Sequence, residues 1–228
     1  MKLIYNIVVF LYLSKLKYKD ETIKILDYLG LILVQKNLLK SIERIGPHNF
    51  DVLCVLFGSL LGDGYAVLRQ QIYGQTVRFS FKQSIVHKEY LFYLYNFVWS
   101  RGYCSDNEPR LYKRYIKNID NTYYGYEFNS FSLTSLIWVY NFFYVNGVKV
   151  VPSNIEMFMT PLTLAIWISD DGGWTGHGVR IATNNYTLSE IKFLVNILEN
   201  KFKLNCTIQK ISIENKYSIY IKVILLIH

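Results

Sequence analysis

Leu56-Phe57-Gly58-Ser59-Leu60-Leu61-Gly62-Asp63-Gly64 reads as an apolar helix closed by an Asp-Gly pair. Leu164-Ala165-Ile166-Trp167-Ile168-Ser169-Asp170-Asp171-Gly172 reads the same way. A single Asp-Gly after a helix is an ordinary turn signal, with the glycine as a left-handed cap. Two copies, each opening a matched series of elements, are an internal repeat.

The matching series follows directly. After the first Asp-Gly, residues 77–82 alternate Val77, Phe79 and Phe81 with Arg78, Ser80 and Lys82, so period two gives one apolar and one cationic strand face. A helical stretch over 87–99 then places Tyr90, Leu91, Leu94 and Phe97 on one side. After the second Asp-Gly, a strand over 179–183 precedes a helical stretch over 189–202 with Ile191, Leu194, Val195 and Leu198 on one side. Residues 110–117 form a second basic, aromatic strand, open to two readings: a nucleic-acid contact, or an edge strand protected by charge.

In the motif helices Gly58 and Gly62, and likewise Ala165 and Ser169, lie four apart and form small-residue stripes through which two helices can approach closely. If they pair, Asp63 and Asp171 meet at the negative ends of two helix dipoles, which disfavour a carboxylate by about 0.3–1 kcal/mol each. The mutual repulsion adds to that cost, and a cation would relieve both. Mg²⁺ binds through one or two carboxylates together with water and phosphate oxygens, and paired metals support in-line phosphodiester hydrolysis.

Composition narrows the partners. The chain has 228 residues, 51% hydrophobic, with 20 Tyr and 14 Phe, which excludes a disordered tail. Its 25 Lys and Arg against 17 Asp and Glu leave a net charge of +8, which favours an anionic partner such as nucleic acid or serves solubility alone. Cys54, Cys104 and Cys206 suggest neither a disulfide framework nor a zinc site, and His48, His87, His177 and His228 have no partner at metal spacing. Gly62-Asp63-Gly64 lacks the rest of a phosphate-binding loop. The apolar stretch 3–13 lacks a cleavage site and is shorter than the about 20 residues that span a bilayer, so it is read as a packed or extension segment rather than a membrane one. The abundance of Asn, Lys, Ile, Tyr and Phe fits an AT-rich, organellar gene. The chain divides into an N-terminal extension at 1–47, ending in Gly46-Pro47, a first unit at 48–150 and a second at 151–228.

The two motif runs resemble the paired LAGLIDADG motifs of monomeric homing endonucleases, in particular the fungal mitochondrial intron-encoded type. The likeness extends to Gly147-Val148-Lys149-Val150-Val151-Pro152-Ser153-Asn154, to Thr160-Pro161-Leu162-Thr163-Leu164-Ala165 and to Lys201-Phe202-Lys203-Leu204-Asn205-Cys206. It implies an α+β fold of two pseudo-repeated αββαββα units whose antiparallel, saddle-shaped sheets lie over duplex DNA. It also implies a mitochondrial, monomeric, Mg²⁺-dependent endonuclease for intron homing, with RNA maturase activity on its own intron, or a degenerate remnant, as the alternatives. Asp63 and Asp171 match the metal-binding acids, and Lys149 matches the basic residue that helps position or polarise the attacking water. Asp170 is read as an accessory or structural acid and, with Gly62, completes the candidate metal set. Arg78, Lys82, Arg110, Lys113, Arg114 and Arg180 are the candidates for DNA contacts, phosphate being the commoner fate of Lys and Arg. The second unit is short, from Gly172 to His228, and ends in 223–228 where relatives continue through a hairpin and a lysine-bearing helix. The expectation is therefore a truncated second unit with an incomplete sheet and no equivalent of Lys149.

Overall fold

The computed structural model describes residues 40, 44, 46–71, 74–117, 120–211 and 216–222. The apolar stretch 3–13 and the end at 223–228 lie outside them, as does most of the extension at 1–47.

Helix α1 (Phe50–Leu61) buries nine of its twelve residues, as a helix apolar on all sides must. It leads into β1 (Tyr65–Gln71), β2 (Gly74–Ser84), helix α2 (Lys88–Ser100), β3 (Arg110–Ile116) and β4 (Asn121–Asn129). A short helix α3 (Ile137–Phe143) and the hairpin β5 (Tyr144–Val145) and β6 (Val148–Lys149) close the first half. The second half repeats the pattern with α4 (Pro161–Asp171), β7 (Gly172–Trp174), β8 (Gly178–Ala182), α5 (Leu188–Phe202), β9 (Asn205–Lys210) and β10 (Tyr217–Lys222).

The local chemistry explains the helix starts. The Thr160 side chain accepts from the backbone N–H of Thr163, and Pro161 occupies the first turn of α4, where its missing N–H costs nothing. Thr187 and Glu190 form a capping box at the start of α5, and Glu190 Oε1 also accepts from Val151 N–H at 2.8 Å, which ties α5 to the segment joining the halves.

Each half carries a four-stranded sheet, ordered β1-β2-β4-β3 in the first and β7-β8-β10-β9 in the second, with every pairing antiparallel. The second sheet therefore has its full set of strands, contrary to the expected incomplete one. The shortening lies in the strands: β7 has three residues against seven in β1, and β8 five against eleven in β2. Among the described residues α3 has no counterpart in the second half.

One core runs through both halves. Val77, Phe79 and Phe81 face it, at 0–2% exposure, as the alternation predicts. Phe81 stacks on Phe128 across the sheet with ring centroids 4.6 Å apart, and Phe57 stacks on Phe158 at 4.0 Å beneath the motif helices. The buried stripe of α2 is Leu91, Leu94, Tyr95 and Val98, with Tyr90 and Phe97 partly buried. No helix among the described residues is long and apolar enough to cross a membrane.

Candidate active site and nucleic-acid interface

The two motif helices pack directly on each other, and glycine sets how closely. A Cβ on Gly58 would stand 2.5 Å from the Thr163 carbonyl oxygen and 2.8 Å from Ile166 Cβ, and one on Gly62 would stand 2.5 Å from Asp170 Cβ. The α1 stripe is thus the contact that the spacing predicts. Its counterpart on α4 is Thr163, Ile166 and Asp170, not Ala165 and Ser169: Ser169 is exposed and its hydroxyl donates back to the Ala165 carbonyl. Counting from Asp63 and Asp171 shows why, since the position of Gly58 is taken by Ile166 and that of Gly62 by Asp170.

This crossing brings three carboxylates into one neighbourhood. Asp63 is exposed and accepts from Gln83 Nε2 at 3.0 Å. Asp170 Oδ1 accepts from the same amide at 3.2 Å and from the Tyr90 hydroxyl at 2.8 Å, while its buried Oδ2 has no hydrogen bond of good geometry. Burial, followed by the charges of Asp63 and Asp171, holds the Asp170 carboxyl well above the ordinary carboxylate range against the hydrogen bond from Tyr90. Burial and the Asp63 charge push Asp171 up to about 7, with Lys149 pulling the other way. Gln83 was not singled out in the sequence, and Tyr90 entered only as part of one helix face. Extending the alternation one step past Phe81 would have found Gln83, a buried polar residue in core phase.

Lys149 reaches this place through a hairpin. Asn146 and Gly147 both take positive φ, 51° and 77°, the mirror-image turn that lets two short strands pair without splaying. Tyr144 anchors the hairpin by accepting from Ala66 N–H at 3.1 Å. Lys149 Nζ then donates to the carbonyls of Gly62 at 2.8 Å and Gly64 at 2.9 Å, bracketing Asp63. Burial lowers the pKa of its ammonium, while Asp171, Asp170 and Asp63 oppose that shift. The Gly62 carbonyl, a candidate metal ligand, is occupied by this lysine.

Among the described residues no three His, Cys, Asp or Glu side chains converge as a metal cage. The candidate donors are the Asp63 and Asp171 carboxylates at adjoining helix ends, with Asp170 behind them, whose Oδ2 is the orphaned carboxyl oxygen. That set fits Mg²⁺, which takes few protein ligands and keeps water or phosphate for the rest.

Beside the carboxylates lies the outward face of the first sheet. Strand register puts Tyr65, Arg69, Arg78, Lys82, Arg110, Tyr112, Arg114 and Glu127 on it. Lys113, paired with Tyr124, points to the opposite face. Arg69, Arg78 and Arg114 enter no ion pair among the described residues, whereas Lys82 and Arg110 both pair with Glu127. Burial, then the nearby charges of Arg69 and Arg110, depress the Arg78 pKa.

Arg180 is exposed on the outward face of the second sheet, but it is not the counterpart of Arg78. Tyr65, two residues after Asp63, pairs with Ser80, while Gly173, two after Asp171, pairs with Arg180. Arg180 thus occupies the place of Ser80.

Comparison with known proteins agrees with this arrangement. The profile of the LAGLIDADG DNA endonuclease family matches residues 53–224. The chain is 37% identical over 174 residues to the cytochrome b mRNA maturase bI2 of Debaryomyces hansenii, covering 76% of this chain and 65% of that protein. It is 33% identical over 220 residues to the maturase bI2 of Saccharomyces cerevisiae, covering 90% and 51%. The chain therefore spans less than two thirds of either maturase. It is also 45% identical over 131 residues to the intron-encoded endonuclease ai4 of Dictyostelium discoideum, covering 56% of this chain and 82% of that protein. The fold matches that of the homing endonuclease I-WcaI bound to its DNA recognition sequence, with TM-score 0.66 and 24% identity over 84% of this chain and 81% of that one. With its paired motif helices, its two matched sheets and these relatives, the chain belongs to the LAGLIDADG DNA endonuclease family.

Proposed function

We propose that the protein is a site-specific endonuclease that hydrolyses both strands of duplex DNA at an intron-insertion site, with Mg²⁺ held by Asp63 and Asp171. The observation that carries this reading is the glycine-mediated contact of α1 and α4, which places two motif-end carboxylates together beside a cationic sheet face. Bound there, the metal would supply Lewis acidity and an activated water for phosphodiester hydrolysis.

The chain's own groups supply positioning. Two of the three Lys149 ammonium protons go to the Gly62 and Gly64 carbonyls, leaving one to orient a water or a phosphate oxygen. Gln83 fixes the rotamers of Asp63 and Asp170 with one amide. Asp170, tied down by Tyr90, supports the site from behind. Arg69, Arg78 and Arg114 hold the DNA backbone. The two maturases above are named for cytochrome b mRNA, which supports a mitochondrial location for this protein.

The names of those relatives also favour a second reading, in which the protein assists splicing of its own intron RNA. The discriminating experiment incubates the joined, intronless exon sequence with Mg²⁺ and wild type, Asp63→Asn or Asp171→Asn. Wild type is expected to cut both strands, and each variant to lose cleavage by about a hundredfold or more. An uncut target with wild type rejects the nuclease, and splicing assistance that survives both substitutions establishes the maturase.

A further inference from the structure

The outward face of the first sheet contains a residue that a plain polyanion-binding surface would exclude. Glu127, only 4% exposed, lies among the cations; its Oε2 meets Lys82 Nζ at 2.7 Å, and its Oε1 meets Nε and Nη2 of Arg110. Every cation neutralised internally is a phosphate contact forgone. Arg110 nevertheless keeps its side chain 76% exposed, so the carboxylate holds one edge of the guanidinium while the rest faces solvent. The arginine fork is planar and rigid. With the Nε/Nη2 edge bound, the Nη1 and remaining Nη2 hydrogens form an outward pair, the set that matches guanine O6 and N7.

Strand register shows that, among the described residues, the second sheet does not repeat the device. Lys82 pairs with Glu127 and Glu127 with Arg110, whereas the equivalent second-half positions are Ala182, Ser218 and Gln209. Lys82 also lines the pocket that contains Asp63 and Asp170, so the cluster borders the place where the strands would be cut.

We propose that Glu127 is a positioning residue that fixes Arg110 as a guanine reader next to the cleavage position, making the first sheet the more sequence-selective half of the interface. This rests on the duplex-DNA reading above.

The test selects a duplex library with a randomised central tract using wild type, Glu127→Gln, Arg110→Ala and Arg110→Lys. It also measures the salt dependence of binding to an arbitrary duplex. Wild type is expected to enrich a guanine at one position, and all three variants to lose that preference by about tenfold or more. Glu127→Gln, which frees two cations, is expected to bind arbitrary duplex more tightly and to steepen the slope of log K against log salt by up to about 2. Because Arg110 is exposed, its substitutions test the idea even if Glu127→Gln folds poorly. A sequence enriched equally by all four proteins, or an unchanged or shallower salt slope for folded Glu127→Gln, overturns this proposal alone. A wild type that enriches nothing overturns it together with the reading on which it rests.

Discussion

Asp170 and Gly62 occupy equivalent places in the two motif helices, and one fits only because the other is glycine. A methyl group on Gly62 would sit 2.5 Å from Asp170 Cβ, so Gly62→Ala should destabilise the protein by about 1–3 kcal/mol. Asp170→Gly should recover part of that loss, giving a coupling energy of about 1 kcal/mol or more in a denaturation double-mutant cycle. Additive effects would show that the two residues do not meet. Glu127 makes a prediction against pH. Burial raises its carboxyl pKa, but the hydrogen bonds from Lys82 and Arg110 outweigh this and hold it below the ordinary range. Its contribution is therefore fully present above the unfolded-state value of about 4.3 and lost as pH falls through the folded one. Stability measured from pH 6 downward should fall less steeply for Glu127→Gln than for wild type, and parallel curves would remove Glu127 from the acid limb. At this scale Asp63, Asp171 and Lys149 stood out in the sequence because motifs carry them. Gln83 did not, and Tyr90 entered only as part of a helix face, because a polar group at the rim of a core is recognisable only once its partner arrives from a distant segment.

The helix-to-helix contact is the element on which the arrangement depends. Gly58 faces a backbone carbonyl that cannot move aside. Overpacking costs about 1–3 kcal/mol, and a fixed carbonyl oxygen 2.5 Å away puts Gly58→Ala in the upper part of that range; set against the gain of about 1 kcal/mol in helix propensity, the net loss should be about 1–2 kcal/mol, and cleavage should be impaired by parting of the helix ends. Equal or greater stability in denaturant would refute the close packing. The strand over 77–82 and the helices flanking the sheets could be read directly from periodicity, since each buries one face. The stripe on α4 came out one residue early: Ala165 and Ser169 are small, but size does not reveal which side of a helix turns to its partner. Lys113 was likewise grouped with its basic neighbours, and only strand alternation separates it from Arg110 and Arg114.

Across the whole molecule, three acids gather around two helix ends, and Lys149 offsets their mutual repulsion only in part, since Asp171 is still pushed up to about 7. Mg²⁺ at about a hundred times its dissociation constant should therefore stabilise the fold by about 2.7 kcal/mol. The gain should be visible as a rise in Tm, reversed by a chelator and absent from a protein carrying both Asp63→Asn and Asp171→Asn. An equal rise in that double variant would place the ion elsewhere. The repeat also joins the halves at a second level. Tyr90, on α2 of the first half, holds the second motif helix through its hydroxyl, which donates to Asp170 and has the Ile166 carbonyl 3.3 Å away, and Tyr186, just ahead of α5 in the second half, donates to the Leu61 carbonyl that ends the first at 2.9 Å. Each half thus fastens the other's central rod, like two hands gripping opposite wrists, around the three carboxylates that the rods bring together.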